Sequence, residues 1–243
     1  IHLKCFNVDG CAAEDAEDAR RAAEHLGIPF YTFDYEQEYK DRVVKYMVDG
    51  YRKGITPNPD VMCNKEIKFG LFYDKAMKLG ADYVATGHYA RLRRSSKQEV
   101  VSSKDGNKNR LLHTIYYQLR VARDSNKDQS YFLWAIKPAQ LAKCLFPIGD
   151  LKKPQVRKLA EKFGLHNAAK KDSQGICFLG QVSLPDFLKT YIKPKVGAIV
   201  IASSASTRRS KFARLGGRGN LTKEFVKIGE HSGAFAYTIG QRH

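Results

Sequence analysis

No Cys-x-x-Cys pair occurs anywhere in these 243 residues. The five cysteines are odd in number and irregularly spaced, which excludes a secreted disulfide framework and a structural zinc site. A reducing cytoplasm is the compartment this implies, and no tightly bound metal is expected. Long apolar runs are also missing. The longest aliphatic stretch, residues 198–202, is far too short to span a bilayer. No basic amphipathic helix with a broad apolar face stands out, so a membrane is not an expected partner. The opening residues lack a starting methionine and read as a strand rather than a signal peptide, so the sequence is expected to begin downstream of its true start. Neither Gly-x-Gly-x-x-Gly nor a Walker-type loop appears, and there is no internal repeat.

Acidic residues are scarce in one part only. Residues 1–90 hold 12 Lys and Arg against 15 Asp and Glu, whereas residues 91–243 hold 30 against 10. An evenly solvated surface does not divide its charge this way. The formal net charge of +17 therefore sits in the second part, which is expected to meet a polyanion such as RNA or DNA. Hydrophobic residues at 43% and charged residues at 28% are ordinary for a globular chain, long enough for one large domain or two small ones.

The periodicity predicts strands at 1–6, 30–33 and 83–86, alternating with helices at 12–26, 39–51 and about 65–79. Gly27 and Gly80 stop the first and third of these helices. Pro57 and Pro59 predict an extended loop between the second and third. Strand, helix, strand, helix, helix, strand is the grammar of a parallel sheet flanked by helices, in which ligands bind at the carboxyl ends of the strands. Gly87 and His88 follow the third strand at that edge. Residues 93–110 read as a hairpin tip or mobile loop, and 111–121 as β-type. Short helices are predicted to open at Pro138, Pro154 and Ser183. From residue 196 the pattern changes to short β runs and glycine-rich turns. The domains read from this are an α/β domain over 1–190, whose helical region from about 126 is expected to meet RNA, and an incomplete small β domain over 191–243.

Two cysteines lie in segments that suggest chemistry. Cys63 falls in 56–69 (Thr-Pro-Asn-Pro-Asp-Val-Met-Cys-Asn-Lys-Glu-Ile-Lys-Phe) and Cys177 in 171–180 (Lys-Asp-Ser-Gln-Gly-Ile-Cys-Phe-Leu-Gly). Turn formers and polar groups surround both, so both are expected to be exposed. A helix starting just after Cys63 would favour its thiolate, and Asp60, three positions earlier, could act as general acid or base. A buried inert cysteine and a capping aspartate remain the alternative at that site. Lys170 and Lys171 could hold a phosphate or favour a thiolate at Cys177. Cys144 lies among apolar residues and reads as core. His88 is a ligand contact or a satisfied structural histidine. Residues 126–134 mix Lys and Gln with Tyr131, Phe132 and Trp134, a composition that suits RNA, although at least two of these rings are expected in the core.

Segments 56–69, 79–91, 126–133, 145–165, 170–180 and 230–242 together resemble the tRNA-specific 2-thiouridylases, which put sulfur on C2 of the wobble uridine. The resemblance implies an adenine-nucleotide α-hydrolase-like fold of the ATP-pyrophosphatase superfamily, with ATP as cofactor accompanied by Mg2+. It also implies that ATP adenylates the uridine O2. A persulfide on Cys177 then supplies sulfur, and Cys63 releases it, leaving a transient Cys63–Cys177 disulfide. By the same resemblance Asn58, Pro59 and Asp60 touch the target base, Gly87 and Leu3 contact ATP, and Lys127, Asp128, Gln129 and His88 contact tRNA. The implied partners are tRNAs of the Lys, Glu and Gln types and a sulfur-donor protein. The family's pyrophosphate loop and its last β domain are not found here, so residues 1–243 alone are expected to be inactive. Residues 202–227, with Arg208, Arg209, Lys211, Arg214 and Arg218, fit the family pattern poorly. Competing readings are another adenylating enzyme of that superfamily, indifferent to both cysteines, and a non-catalytic RNA-binding module.

Overall fold

The structure is a computed structural model that describes residues 1–8, 12–102, 109–171, 176, 178–180, 182–203 and 224–237. Cys177, Cys11 and the basic positions from 208 to 218 lie outside the described residues. The chain divides into two units, one of 1–47 with 57–182 and the other of 48–56 with 183–243.

In the first unit, β1 (His2–Lys4) and β2 (Thr32–Asp34) pair in parallel, with Leu3 opposite Phe33. A parallel pair needs a crossover, and α1 (Ala12–His25) supplies it. Gly27 turns the chain at φ 65° after that helix. Helix α2 has three parts, Glu36–Tyr39, a π-helical Lys40–Val44, and Lys45–Arg52, of which residues 48–52 belong to the second unit. It buries Tyr39, Val43, Val44 and Met47.

Helix α3 starts earlier than the prolines suggested. It runs through Pro59–Met62, a ten-residue π-helix Cys63–Phe72, and Tyr73–Lys78. Pro59 does not force a loop, because it occupies the first helical turn, where its missing N–H costs nothing. Asn58 closes the helix start by accepting N–H bonds from Asp60 and Val61, each 3.1 Å. The π-helix brings backbone close to Gly70: a Cβ there would stand 2.8 Å from the carbonyl oxygen of Lys65. Gly70→Ala is therefore expected to destabilise by about 1–3 kcal/mol through overcrowding. In an ordinary α-helix the same change stabilises by about 1 kcal/mol, so the sign of the shift in urea midpoint reads the geometry.

Strand β3 (Val84–Ala85) follows, then a long hairpin of β4 (Ala90–Ser102) and β5 (Asn109–Val121). Thirteen antiparallel pairs join the two, from Ala90–Val121 to Ser102–Asn109. Of the two readings of residues 93–110, the structure takes the hairpin: residues 93–102, 109 and 110 are paired strand, and cross-strand bonding overrides their polar composition. Helix α4 (Pro138–Leu141) leads to β6 (Cys144–Leu145), which pairs in parallel with β3. Helix α5 (Lys153–Lys162) completes the described helices of this unit. Phe69, Ala90, Leu133, Ile136, Leu141 and Cys144 form one buried cluster that ties α3, the hairpin base and α4 together. Cys144 is core as expected; its thiol donates to the Gln140 carbonyl at 3.1 Å, and burial pushes its pKa up to about 12.

In the second unit, Ser183 caps α6 (Leu184–Lys189), accepting from Asp186 N–H at 3.3 Å. Phe187 and Leu188 are buried, and Arg52 donates to the Tyr191 carbonyl at 2.9 Å. Strands β7 (Gly197–Ser203) and β8 (Glu224–His231) form an antiparallel hairpin, with a register shift between Ile199 and Val200. No described helix is long and apolar enough to cross a membrane.

Candidate active site

Residues from β1, β2, α3 and β3 enclose a cleft of about 810 Å³, a size ordinary for a small-molecule site. Leu3, Phe33 and Phe72 give it apolar walls, while Lys68, Thr86 and Gly87 give it a polar end. The cleft brings together Leu3 and Gly87, which are 84 positions apart and were named from sequence as nucleotide contacts. A smaller concavity of about 320 Å³ shares Lys68, Thr86 and Gly87 and adds His88 and Gln129. Lys68 lines both. The sequence reading passed over it as one more lysine on a helix; its place on the helix that carries Cys63 was the available signal.

His88 is half-buried against the rings of Phe69 and Phe146, with centroids 5.9 and 6.4 Å away, and its Nδ1 lies 2.8 Å from Thr86 Oγ1. Burial, with a smaller contribution from the Lys68 ammonium, pushes its pKa down to about 3. The ring is therefore neutral near pH 7. A histidine whose pKa falls on folding contributes stability that is complete above its unfolded pKa, about 6.5, and is lost as pH drops toward the folded value. From pH 7 to pH 5 this costs about 2 kcal/mol. Urea unfolding at the two pH values should show the loss in the native chain, and His88→Gln should lose correspondingly less.

Cys63 is 3% exposed, which corrects the expectation of an open thiol. Because α3 starts at Pro59, Cys63 lies a full turn inside the helix, and its N–H bonds to the carbonyls of Pro59 and Asp60. The free N–H groups that were to favour a thiolate lie one turn earlier, where Asn58 takes two of them. Asp60 is half-buried and one helical turn from Cys63, as the spacing implied; Pro59 is buried. Asn64 was missed by the sequence reading. It is 3% exposed and donates from Nδ2 to the Phe132 carbonyl at 3.3 Å, and its Oδ1 is buried without a hydrogen-bond partner among the described residues.

Asp128 and Gln129 fold the loop that carries them. Asp128 accepts from Ala122 N–H at 2.7 Å and from the Ser130 hydroxyl at 2.8 Å. Gln129 brackets Tyr89, its Oε1 accepting from Tyr89 N–H at 2.9 Å and its own N–H donating to the Tyr89 carbonyl at 2.8 Å. Lys127 is half-buried in the same loop. Tyr131 and Trp134 correct a second expectation: they are 58% and 74% exposed, and the inward side chain between them is Leu133.

The residues flanking Cys177 are anchored on both sides. Lys170 binds Asp15 at 2.8 Å and Asp18 at 2.6 Å, and His166 lies 3.1 Å from Asp18. Lys170 is thus occupied by carboxylates of α1 rather than held for a phosphate; the two carboxylates raise its pKa. On the far side Phe178 is buried against Phe6 and Tyr39, with centroids 6.0 and 5.6 Å away, and its carbonyl accepts from Val8 N–H.

Parallel strand pairs, covering helices and a cleft that takes in Leu3 of β1 and the carboxyl end of β3, at Ala85 to Gly87, define an α/β architecture with a small-molecule site. The family described as the tRNA methyl transferase HUP domain matches residues 3–181, and the chain belongs to that family. It is 46% identical to the tRNA-specific 2-thiouridylase MnmA of Christiangramia forsetii, over 94% of this chain and 58% of that protein. It is 44% identical to the protein of the same name from Staphylococcus aureus, over 96% of this chain and 52% of that one. The chain thus spans little more than half the length of the curated relatives it matches.

Proposed function

We propose that this chain is the catalytic part of a tRNA 2-thiouridylase. The observation that carries the reading is that one helix, α3, bears both the Cys63 thiol and Lys68, the cation that lines the nucleotide-sized cleft. The cleft suits ATP: Leu3, Phe33 and Phe72 offer faces for adenine, and Lys68 with the Gly87 backbone meets the polar end. ATP, when bound, supplies the adenylyl group that makes the uridine O2 a leaving group. Asn58, Pro59 and Asp60 hold the wobble uridine beside Cys63. The terminal sulfur of a Cys177 persulfide bonds to C2 as the adenylated oxygen departs with AMP. The Cys63 thiolate then attacks the Cys177 sulfur, breaking its bond to the transferred sulfur. A Cys63–Cys177 disulfide forms, and a thiol reductant must reopen it before the next turnover. The substrates are tRNAs of the Lys, Glu and Gln types, read in part by Lys127, Asp128, Gln129 and His88. A separate protein loads sulfur on Cys177, and the reaction takes place in the cytoplasm.

The family description names methyl transfer and the relatives' names specify thiolation, and the two products differ in mass. The test uses the complete gene product that carries this sequence. It is incubated with unmodified tRNA, ATP and a persulfide donor, and the digested nucleosides are analysed by mass spectrometry. ATP-dependent 2-thiouridine is the expected result. A methylated uridine would support the other chemistry, and tight tRNA binding without any product would reduce the protein to a binding module.

A further inference from the structure

We infer that Tyr131 and Trp134 form a stacking platform for unpaired bases of an RNA bound beside the Cys63 helix. The inference rests on the proposed function only for the identity of that RNA as tRNA. Aromatic side chains usually bury most of their area, yet Trp134 is 74% and Tyr131 58% exposed. The backbone beneath them is well secured. Ser130–Phe132 forms a tight 3-10 turn, in which Phe132 N–H bonds to the Gln129 carbonyl and Leu133 N–H to the Ser130 carbonyl, both 3.0 Å. Leu133 and Ile136 root the segment in the core at 1% and 6% exposure. The Phe132 ring stands 4.0 Å from that of Tyr131, tilted 37°, and backs it. Two outward rings on an ordered turn lose little entropy when a flat partner settles on them.

The local charge selects the partner. Arg120, Arg123 and Lys137 are exposed in the same stretch. Its two aspartates are engaged by the backbone. Asp124 accepts from Asn126 and Lys153 N–H groups at 3.1 and 2.9 Å, and Asp128 from Ala122. Outward cations, engaged carboxylates and exposed rings fit a polyanion with flat faces, which is single-stranded RNA. The platform is also tied to the thiol helix, because Asn64, next to Cys63, donates to the Phe132 carbonyl. Bases stacked there would flank the nucleotide presented to Cys63.

Trp134 is the chain's single tryptophan, so intrinsic tryptophan fluorescence reports on this position alone. Residues 1–243 are titrated with unmodified tRNA, with inorganic polyphosphate, and with anionic phospholipid vesicles, while binding is followed separately by gel shift. Saturating tRNA should quench Trp134, whereas bound polyphosphate, which has no bases, should not. Trp134→Leu and Tyr131→Leu should each weaken tRNA binding about 10-fold with an unchanged salt slope, since stacking involves no phosphate. Trp134→Tyr should restore most of the loss. Lys137→Ala should instead reduce the salt slope by about one. Unchanged urea midpoints would show that the surface variants fold. The platform is overturned if bound tRNA leaves Trp134 unquenched, if Trp134→Leu binds as well as the native chain, or if only vesicles alter the emission. Quenching together with a complete gene product that makes no 2-thiouridine would overturn the proposed function and leave the platform standing.

Discussion

Serine in place of Cys63 is expected to lower thiolation by the complete gene product about 10⁴-fold or more, the scale on which losing a nucleophile acts. The hydroxyl is close to the thiol in size, so the buried site should stay filled and tRNA affinity should hold. The two cysteine variants should also fail differently. Cys63→Ser still accepts sulfur on Cys177 but does not release it, so intact-protein mass spectrometry should find sulfur retained on the enzyme after exposure to a persulfide donor. Cys177→Ser should carry none. Full turnover by Cys63→Ser, or equal sulfur loading of the two variants, would defeat the assigned roles. The 3% exposure of Cys63 gives the experiment added weight, because a thiol so enclosed is equally what an inert core position looks like.

Alanine in place of Gly149 should be the most damaging alanine substitution among the described glycines of the first unit. A Cβ at this glycine would lie 1.8 Å from the Ala90 carbonyl oxygen and 2.7 Å from its carbon. Both are backbone atoms, so no rotamer relieves the overlap. Ala90 is fully buried and its N–H bonds to the His88 carbonyl, so a displaced Ala90 also disturbs His88, which lines the smaller concavity. Destabilisation of roughly 3–5 kcal/mol is expected, beyond ordinary overpacking because neither side can yield. Gly27→Ala is the control. Its φ of 65° is unfavourable for alanine but nothing lies within 4 Å, so it should cost only about 1–2 kcal/mol. Urea midpoints of the two variants would rank them; equal losses would mean that the close approach at Gly149 does not bear on stability.

What could be read ahead of the structure was local. Alanines at helical spacing and Gly27 marked α1, Ser183 marked the start of α6, and apolar neighbours marked Cys144 as core. Each of these depends on residues within a few positions of one another. The readings that failed were those decided by the fold that a segment takes. The prolines at 57 and 59 look like a loop until Asn58 caps the helix that starts at Pro59. Cys63 looks open until the early start of α3 turns it inward. Tyr131 and Trp134 look like core until Leu133 takes the inward position.

The sequence by itself determined the α/β alternation, the uneven charge and the family, because periodicity, composition and motif order are properties of the chain. Only the tertiary structure decided that Leu3 and Gly87 share one cleft with Lys68, that Lys170 is held by α1, and that two aromatic rings face solvent beside the thiol helix. The physical reason is that burial and proximity between residues far apart in the chain depend on which surfaces pack together, and no local pattern records that.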